Sequence, residues 1–352
     1  MPGGTFVYVS NADTKDIRVL ELDSATGDLA EVQRAQLSAN GPLGPLAVSP
    51  DRRFLYAAQR AEPWTVSAFT IDGLTGELTY LTSAPLMHST PYIITDRTGR
   101  WLFAASYQGS VLSVSAIGPH GFPQPPHQVV RTEPNAHSVQ IDAANMHVFV
   151  PCLGGDVFLS WDFDDVTGTL DTASLRTNRV QKNAGPRHFV LHPDNRHVYL
   201  LNELQASVYV YAYDARTGAL GEQQTISARP PDYDGPEFGE SGVSTNNGPK
   251  AADIHVTPDG RFLYASERTT STLAAFSIDL ASGRLTSISS YETEKTPRGF
   301  NIDPTGRYLL AVGQDSHHLA TYAIDQATGA LTHLKRYEMG KGPNWVEIHR
   351  LP

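Results

Sequence analysis

One hairpin recurs along the chain at nearly constant spacing, and that period limits the fold more than any other feature. "SPDRRFLYAAQR" (49–60) returns as "HPDNRHVYLLNE" (192–203), "TPDGRFLYASER" (257–268) and "DPTGRYLLAVGQ" (303–314). Weaker copies are "TDRTGRWLFAASY" (95–107) and "IDAANMHVFVPCL" (141–153), and "TFVYVSN" (5–11) is a truncated seventh. The equivalent strand position holds Tyr8, Tyr56, Phe103, Phe149, Tyr199, Tyr264 and Leu310, at spacings of 48, 47, 46, 50, 65 and 46 residues. A second marker, the turn D-x-x-[ST]-G-x-L, appears at 23–29, 72–78, 164–170, 214–220, 279–285 and 325–331, with "GPHGF" (118–122) as a degenerate copy. Asp suits such a turn by accepting local backbone bonds, and Gly by supplying positive φ. The third marker is a short apolar strand before each PDG-like turn, such as "GPLAVSP", "PRHFVLHP" and "PRGFNIDP".

Three markers with one period of about 45–50 residues predict blades of four strands arranged around an axis. The chain ends supply the closure. "TFVYVSN" is a second strand lacking its first, and "GPNWVEIH" (342–349) is a first strand lacking its second. Their pairing completes one blade and leaves no open edge. The expected fold is therefore all-β, a seven-bladed β-propeller of four-stranded blades, with residues 1–352 as a single domain. The spacing of 65 marks a long inserted loop at about 227–250, rich in Pro, Gly, Asp and Ser, which leads into the inner strand of the next blade.

Composition agrees: 29 Gly, 24 Pro and 15 Tyr suit short strands joined by tight turns. A net charge of −10 argues against nucleic-acid and anionic-membrane partners. Cys152 is the sole cysteine, which excludes an intrachain disulfide and a cysteine-based zinc cluster. Neither a leader-like start nor a run approaching ~18 apolar residues is present, and a soluble, cytoplasmic protein is expected. No nucleophile elbow, P-loop or dinucleotide fingerprint occurs, and no cofactor is expected.

The repeats also place charges. The inner strand and its neighbour run antiparallel, so Arg187 and Glu203 share one mouth of the central channel. Positions equivalent to Arg187 hold Gly44, Pro91, His137, Ala252, Arg298 and Asn344. Those equivalent to Glu203 hold Ala12, Arg60, Tyr107, Leu153, Arg268 and Gln314. These rings gather Arg60, Arg187, Arg268 and Arg298 around His137 and Glu203, in a chain that is acidic overall. Arginine holds carboxylate or phosphate by paired hydrogen bonds, and converging guanidiniums stabilise a developing oxyanion. His137 or Glu203 would accept a proton. His137 is favoured as base, with Glu203 orienting the arginines or the water. Tyr107, Gln314 and Asn344, with Arg60 and Arg298, complete the expected substrate-binding set. His188 and His255, each offset from a mouth position, are expected to point into blade packing, and Trp345 into the inner core. "SHH" (316–318) resembles a metal pair, but adjacent strand residues face opposite ways, and no metal is expected.

Six stretches carry a resemblance over essentially the whole chain: "AHSVQID" (136–142), "GPRHFVLHP" (185–193), "YLLNELQASVYVY" (199–211), "ADIHVTPDGRFLYASERT" (252–269), "TPRGFNIDPTGRYLLAVGQDSHHLATY" (296–322) and "GKGPNWVEIH" (340–349). With them the chain resembles the seven-bladed-propeller lactonase family, which contains the bacterial cytosolic 6-phosphogluconolactonase and, more distantly, the fungal carboxy-cis,cis-muconate cyclase. The resemblance implies a metal-independent enzyme that opens or closes a lactone of an acidic substrate. It carries the cyclase branch's proposed active-site residues onto His137, Arg187, Glu203 and Arg268. The leading expectation is hydrolysis of 6-phospho-D-glucono-1,5-lactone to 6-phosphogluconate by a monomer or weak homodimer whose partner is the small anionic lactone. A lactonase or cycloisomerase acting on a carboxylated lactone of aromatic degradation is the alternative. A non-catalytic binding scaffold, which needs no acid/base pair beside converging arginines, is the second alternative.

Overall fold

Each period of the sequence folds into one four-stranded antiparallel sheet, and there are seven such sheets. The computed structural model describes residues 3–38, 41–235 and 248–352. Six blades follow the chain directly, from Leu43–Pro85 through Tyr92–Arg131, Gln140–Arg179, Pro186–Ser227 and Ala251–Glu292 to Pro297–Glu338. The seventh is composite: Pro343–Arg350 is its innermost strand and pairs antiparallel with Thr5–Asn11, so the two ends of the chain close the ring as expected. The first strands of neighbouring blades pack against one another around the axis. Pro186–Leu191, for example, touches Ala251–Val256, which touches Pro297–Ile302.

The apolar core is distributed. Seven buried clusters each combine residues from two adjacent blades, such as Phe149 and Phe158 with Phe189 and Leu200. Two of the sequence markers turn out to be halves of one lock between blades. Tyr8 donates from its hydroxyl to the carbonyl of Gly76 at 3.0 Å, and Tyr264 to that of Gly329 at 2.8 Å. Both glycines have positive φ, and a Cβ on Gly76 would lie 2.3 Å from the ring of Phe6. Glycine is therefore required twice, for the turn and for the approach of the neighbouring aromatic. The repeat spacing is thus the spacing of a contact between blades.

The PDG-like turns lie at one end of the ring and the residues following each second strand lie at the other. A register irregularity recurs at the latter end of the inner strands. It falls between Pro186 and His188, Ala251 and Ile254, Pro297 and Gly299, and Leu43 and Leu46. Such bulges re-aim side chains. The described ends of the long loop return to this same end, where Thr269 Oγ1 donates to the carbonyl of Gly248 at 2.7 Å and Arg268 Nε to that of Lys250 at 2.9 Å. The rest of the expected loop, 236–247, lies outside the described residues. Among the described residues no helix is long and apolar enough to cross a membrane.

Candidate active site

Arg187 and Glu203 meet. The guanidinium Nε lies 2.8 Å from Glu203 Oε2, and Arg268 Nη2 lies 3.0 Å from the other carboxylate oxygen. Glu203 thus bridges two arginines from different blades. The Arg187 side chain is 2% exposed and also donates to the carbonyl of Ala252. Burial lowers its pKa to about 10, and Arg268 adds to the shift, but it stays a cation near neutrality. For Glu203, burial pushes the carboxyl up, yet Arg268, Arg187 and Arg298 together bring it below its ordinary value. It is a carboxylate under any ordinary condition.

Arg298 and Arg60 are placed differently. With Arg187, His188, Asn344, Trp345, Gly44, Pro45 and Pro91, they line a cavity of about 10 Å³ at the axis. Neither guanidinium has a carboxylate partner among the described residues. The charge on Arg298 is disfavoured by burial and then by the like charges of Arg187, Arg268 and Arg60. An anion entering here would relieve that cost.

His137 is buried, and its Nδ1 has no hydrogen-bond partner among the described residues. Burial, Arg187, His188, Arg298 and Arg268 hold it far below the usual imidazole pKa, so it is neutral. Tyr107 packs edge-on against its ring at 5.6 Å between centroids. The Asn344 amide donates to the carbonyl of Leu43 at 3.1 Å and faces the cavity. Gln314 is anchored through its backbone to Thr296 at the mouth, but it does not line the cavity.

One expectation requires correction and another an addition. His188 does not point into blade packing but lines the cavity, because the bulge at Arg187 turns both residues toward the axis. Trp345 is likewise a cavity wall as well as a packing residue, edge-on to Tyr92 at 5.1 Å and to His188 at 6.1 Å. His255 behaves more nearly as expected, packed edge-on to Phe300, but it also faces Asp253 Oδ2 at 3.3 Å. Asp253 itself was not singled out from the sequence. It accepts from His188 Nδ1 at 2.9 Å.

The residues of "SHH" do not form a ligand group. Among the described residues one group of three with ligating atoms close together is His192, Asp194 and His197, within 4.8 Å of one another. It occupies a PDG-like turn at the far end of the ring, and there the Asp194 carboxylate faces the two imidazole Nδ1 atoms at 2.9 and 3.0 Å. A larger groove of about 640 Å³ also lies at that end, but Glu21, Asp23 and Asp28 line it against a single Arg350, the wrong sign for an anionic ligand.

Comparison with known proteins agrees with this fold. The family described as "Lactonase, 7-bladed beta-propeller" matches residues 6–348. A 6-phosphogluconolactonase from Yersinia pseudotuberculosis is 40% identical over 296 residues, which cover 84% of this chain and 83% of the relative. One from Pectobacterium carotovorum is 39% identical over 296 residues, covering 84% of each. Among solved structures, a Bacteroides fragilis protein superposes with a TM-score of 0.86 at 25% identity over 98% of both chains. The periplasmic gluconolactonase of Pseudomonas aeruginosa, 23% identical, has the same fold, with a TM-score of 0.86 over 99% of this chain and 100% of its own. The chain belongs to the seven-bladed β-propeller lactonase family.

Proposed function

We propose that the protein hydrolyses 6-phospho-D-glucono-1,5-lactone to 6-phosphogluconate. One observation carries the choice of an anionic substrate: four arginines converge at the axial mouth, and among the described residues only Arg187 and Arg268 of the four are tied to a carboxylate there. Among the described residues Arg60 and Arg298 have no carboxylate, and in this reading they are left for an anion of the substrate. In this reading they hold the phosphate at the rim of the cavity with Asn344, the cavity itself being too small at about 10 Å³ to admit it, while Tyr107 and Gln314 border the entrance. Arg187 and Arg268, fixed by Glu203, receive the lactone carbonyl oxygen as it gains charge in the tetrahedral intermediate. A neutral imidazole takes the proton of the attacking water, and the two buried imidazoles here, His137 and His188, both have the required charge state. The names of the curated relatives support the same substrate. A phosphorylated sugar does not cross membranes unaided, in keeping with a cytoplasmic site of action.

The reaction is metal-independent on this reading, since polarisation falls to guanidiniums. The test is a pH-stat assay on phosphorylated, carboxylated and neutral lactones, with and without prior chelation. Preference for the phosphorylated lactone by at least tenfold in kcat/KM, unchanged by chelation, is the expected result. Preference for a carboxylated lactone would move the protein to the alternative substrate class, and activity restored only by a divalent ion would overturn metal independence. Arg60→Ala and Arg298→Ala should raise KM for the phosphorylated lactone about tenfold or more with a smaller change in kcat. The reverse pattern would take the phosphate away from these two residues.

A further inference from the structure

Two neutral imidazoles stand at the axis, and their surroundings differ. A carboxylate only accepts, so the contact of 2.9 Å between His188 Nδ1 and Asp253 Oδ1 places the His188 proton on Nδ1. Nε2 is then a bare lone pair. It is buried and has no hydrogen-bond partner among the described residues. His188 lines the same cavity as Arg187, Arg298, Arg60 and Asn344. That cavity, about 10 Å³, is close to the space taken by one water molecule.

Asp253 is held as firmly as the imidazole it orients. Its Oδ1 accepts the Ile254 amide at 3.0 Å, its Oδ2 accepts the Phe300 amide at 3.3 Å, and His255 Nε2 lies 3.3 Å from Oδ2. The His188 ring is fixed by edge-on contacts with Tyr92 at 5.3 Å, His137 at 5.2 Å and Trp345 at 6.1 Å. His137 has no comparable anchor. Its Nδ1 is buried without a partner, and its ring forms no ion pair with a carboxylate among the described residues.

We propose that His188, oriented by Asp253, is the general base of the lactonase reaction, and that His137 is a wall of the site rather than its proton acceptor. The proposal rests on the lactone-hydrolysis reading above. The water oxygen forms a bond to the lactone carbonyl carbon as its proton passes to His188 Nε2, and the carbonyl π pair moves to the oxygen facing Arg187 and Arg268. The resulting imidazolium is paired with Asp253. When the intermediate collapses, the carbonyl re-forms, the ring C–O bond breaks, and the departing alkoxide takes the proton back from Nε2. The new carboxylic acid then releases one proton to solvent, which balances the reaction as lactone plus water to hydroxycarboxylate plus a proton.

The groups facing His188 set its charge state. Burial and Arg187 lower its pKa, Asp253 opposes them, Arg298 lowers it further, and the outcome is about 4. His137 is neutral and Tyr92 is held protonated by burial, so neither supplies a countercharge. The base is thus unprotonated across the neutral range, and activity should fall only as pH drops toward 4.

The test compares His188→Gln, Asp253→Asn and His137→Asn with the parent protein on the phosphorylated lactone. Binding of 6-phosphogluconate by calorimetry and circular dichroism report on folding. His188→Gln is expected to lose at least about 100-fold in kcat while binding 6-phosphogluconate within about threefold of the parent. Asp253→Asn removes the negative charge that pairs with the imidazolium. It should lower kcat by a similar factor, leave KM nearly unchanged and displace the acid limb of the pH profile. His137→Asn should keep that limb at its parent position, with any loss of rate the same at every pH. The proposal is overturned if His137→Asn removes the limb while a folded His188→Gln stays within tenfold of the parent. If His188→Gln does not fold, the pH profile of Asp253→Asn decides: an unshifted limb with normal kcat overturns the assignment. A parent protein inactive on every lactone would instead defeat the lactonase reading and, with it, this one.

Discussion

Arg187→Ala is expected to lower kcat/KM for the phosphorylated lactone at least about 100-fold, the scale of losing one donor to a developing oxyanion. The same loss is expected for Arg268→Ala, because Glu203 holds both guanidiniums, at 2.8 and 3.0 Å. Their effects on stability should differ. The Arg187 side chain is 2% exposed and bonded to the Ala252 carbonyl, so truncation leaves a buried acceptor and a cavity as well as a half-paired carboxylate. Arg268 lies nearer the surface, and its removal should melt the protein less. Arg187→Lys should not restore activity, since an ammonium cannot reproduce the fork that spans Glu203 and the substrate oxygen. Steady-state kinetics beside thermal melts check all three. A folded Arg187→Ala with near-normal kcat/KM would remove the residue from the reaction.

Glu203→Gln should be the most destabilising single change at the mouth. It leaves Arg187 and Arg268 without their shared anion, with the charge of Arg298 close by, and breaking a pair of this kind costs about 3–5 kcal/mol. The folded-state carboxyl is lowered below its ordinary value, because the three guanidiniums outweigh burial. A lowered pKa stabilises the fold above the unfolded-state value, and that stabilisation disappears as pH falls through the folded-state value. The parent should therefore lose stability below about pH 4, and Glu203→Gln should lack this part of the acid limb. Phosphate binds to the native arginines alone and should recover stability in the variant more than in the parent. Denaturant melts across pH, with and without phosphate, measure both effects. A variant as stable as the parent and indifferent to phosphate would mean that Glu203 is not the counterion of the cluster.

Much of this was legible in the residues. The hairpin period, the Gly-containing turns and the two incomplete terminal strands dictate seven blades, because each marker is local and the lock from Tyr264 to Gly329 repeats with the period. Antiparallel pairing then places Arg187 beside Glu203, and register alone gathers Arg60, Arg268 and Arg298 with them. Advancing the same register by one residue brings Tyr92, His188, Asp253 and Trp345 to equivalent positions, and these are the groups in mutual contact below the arginines.

The tertiary structure alone decided where that second layer points. Strict alternation sends His188 away from the axis if Arg187 faces it, and the bulge between Pro186 and His188 cancels the alternation. A bulge is a property of two paired strands, so the strand that carries it does not reveal it in its own pattern. The pairing of charges was equally hidden. Glu203 could have served any neighbouring cation, and only the fold, by bringing side chains from different blades to one axis, tied it to Arg187 and Arg268 and left Arg60 and Arg298 without a carboxylate among the described residues.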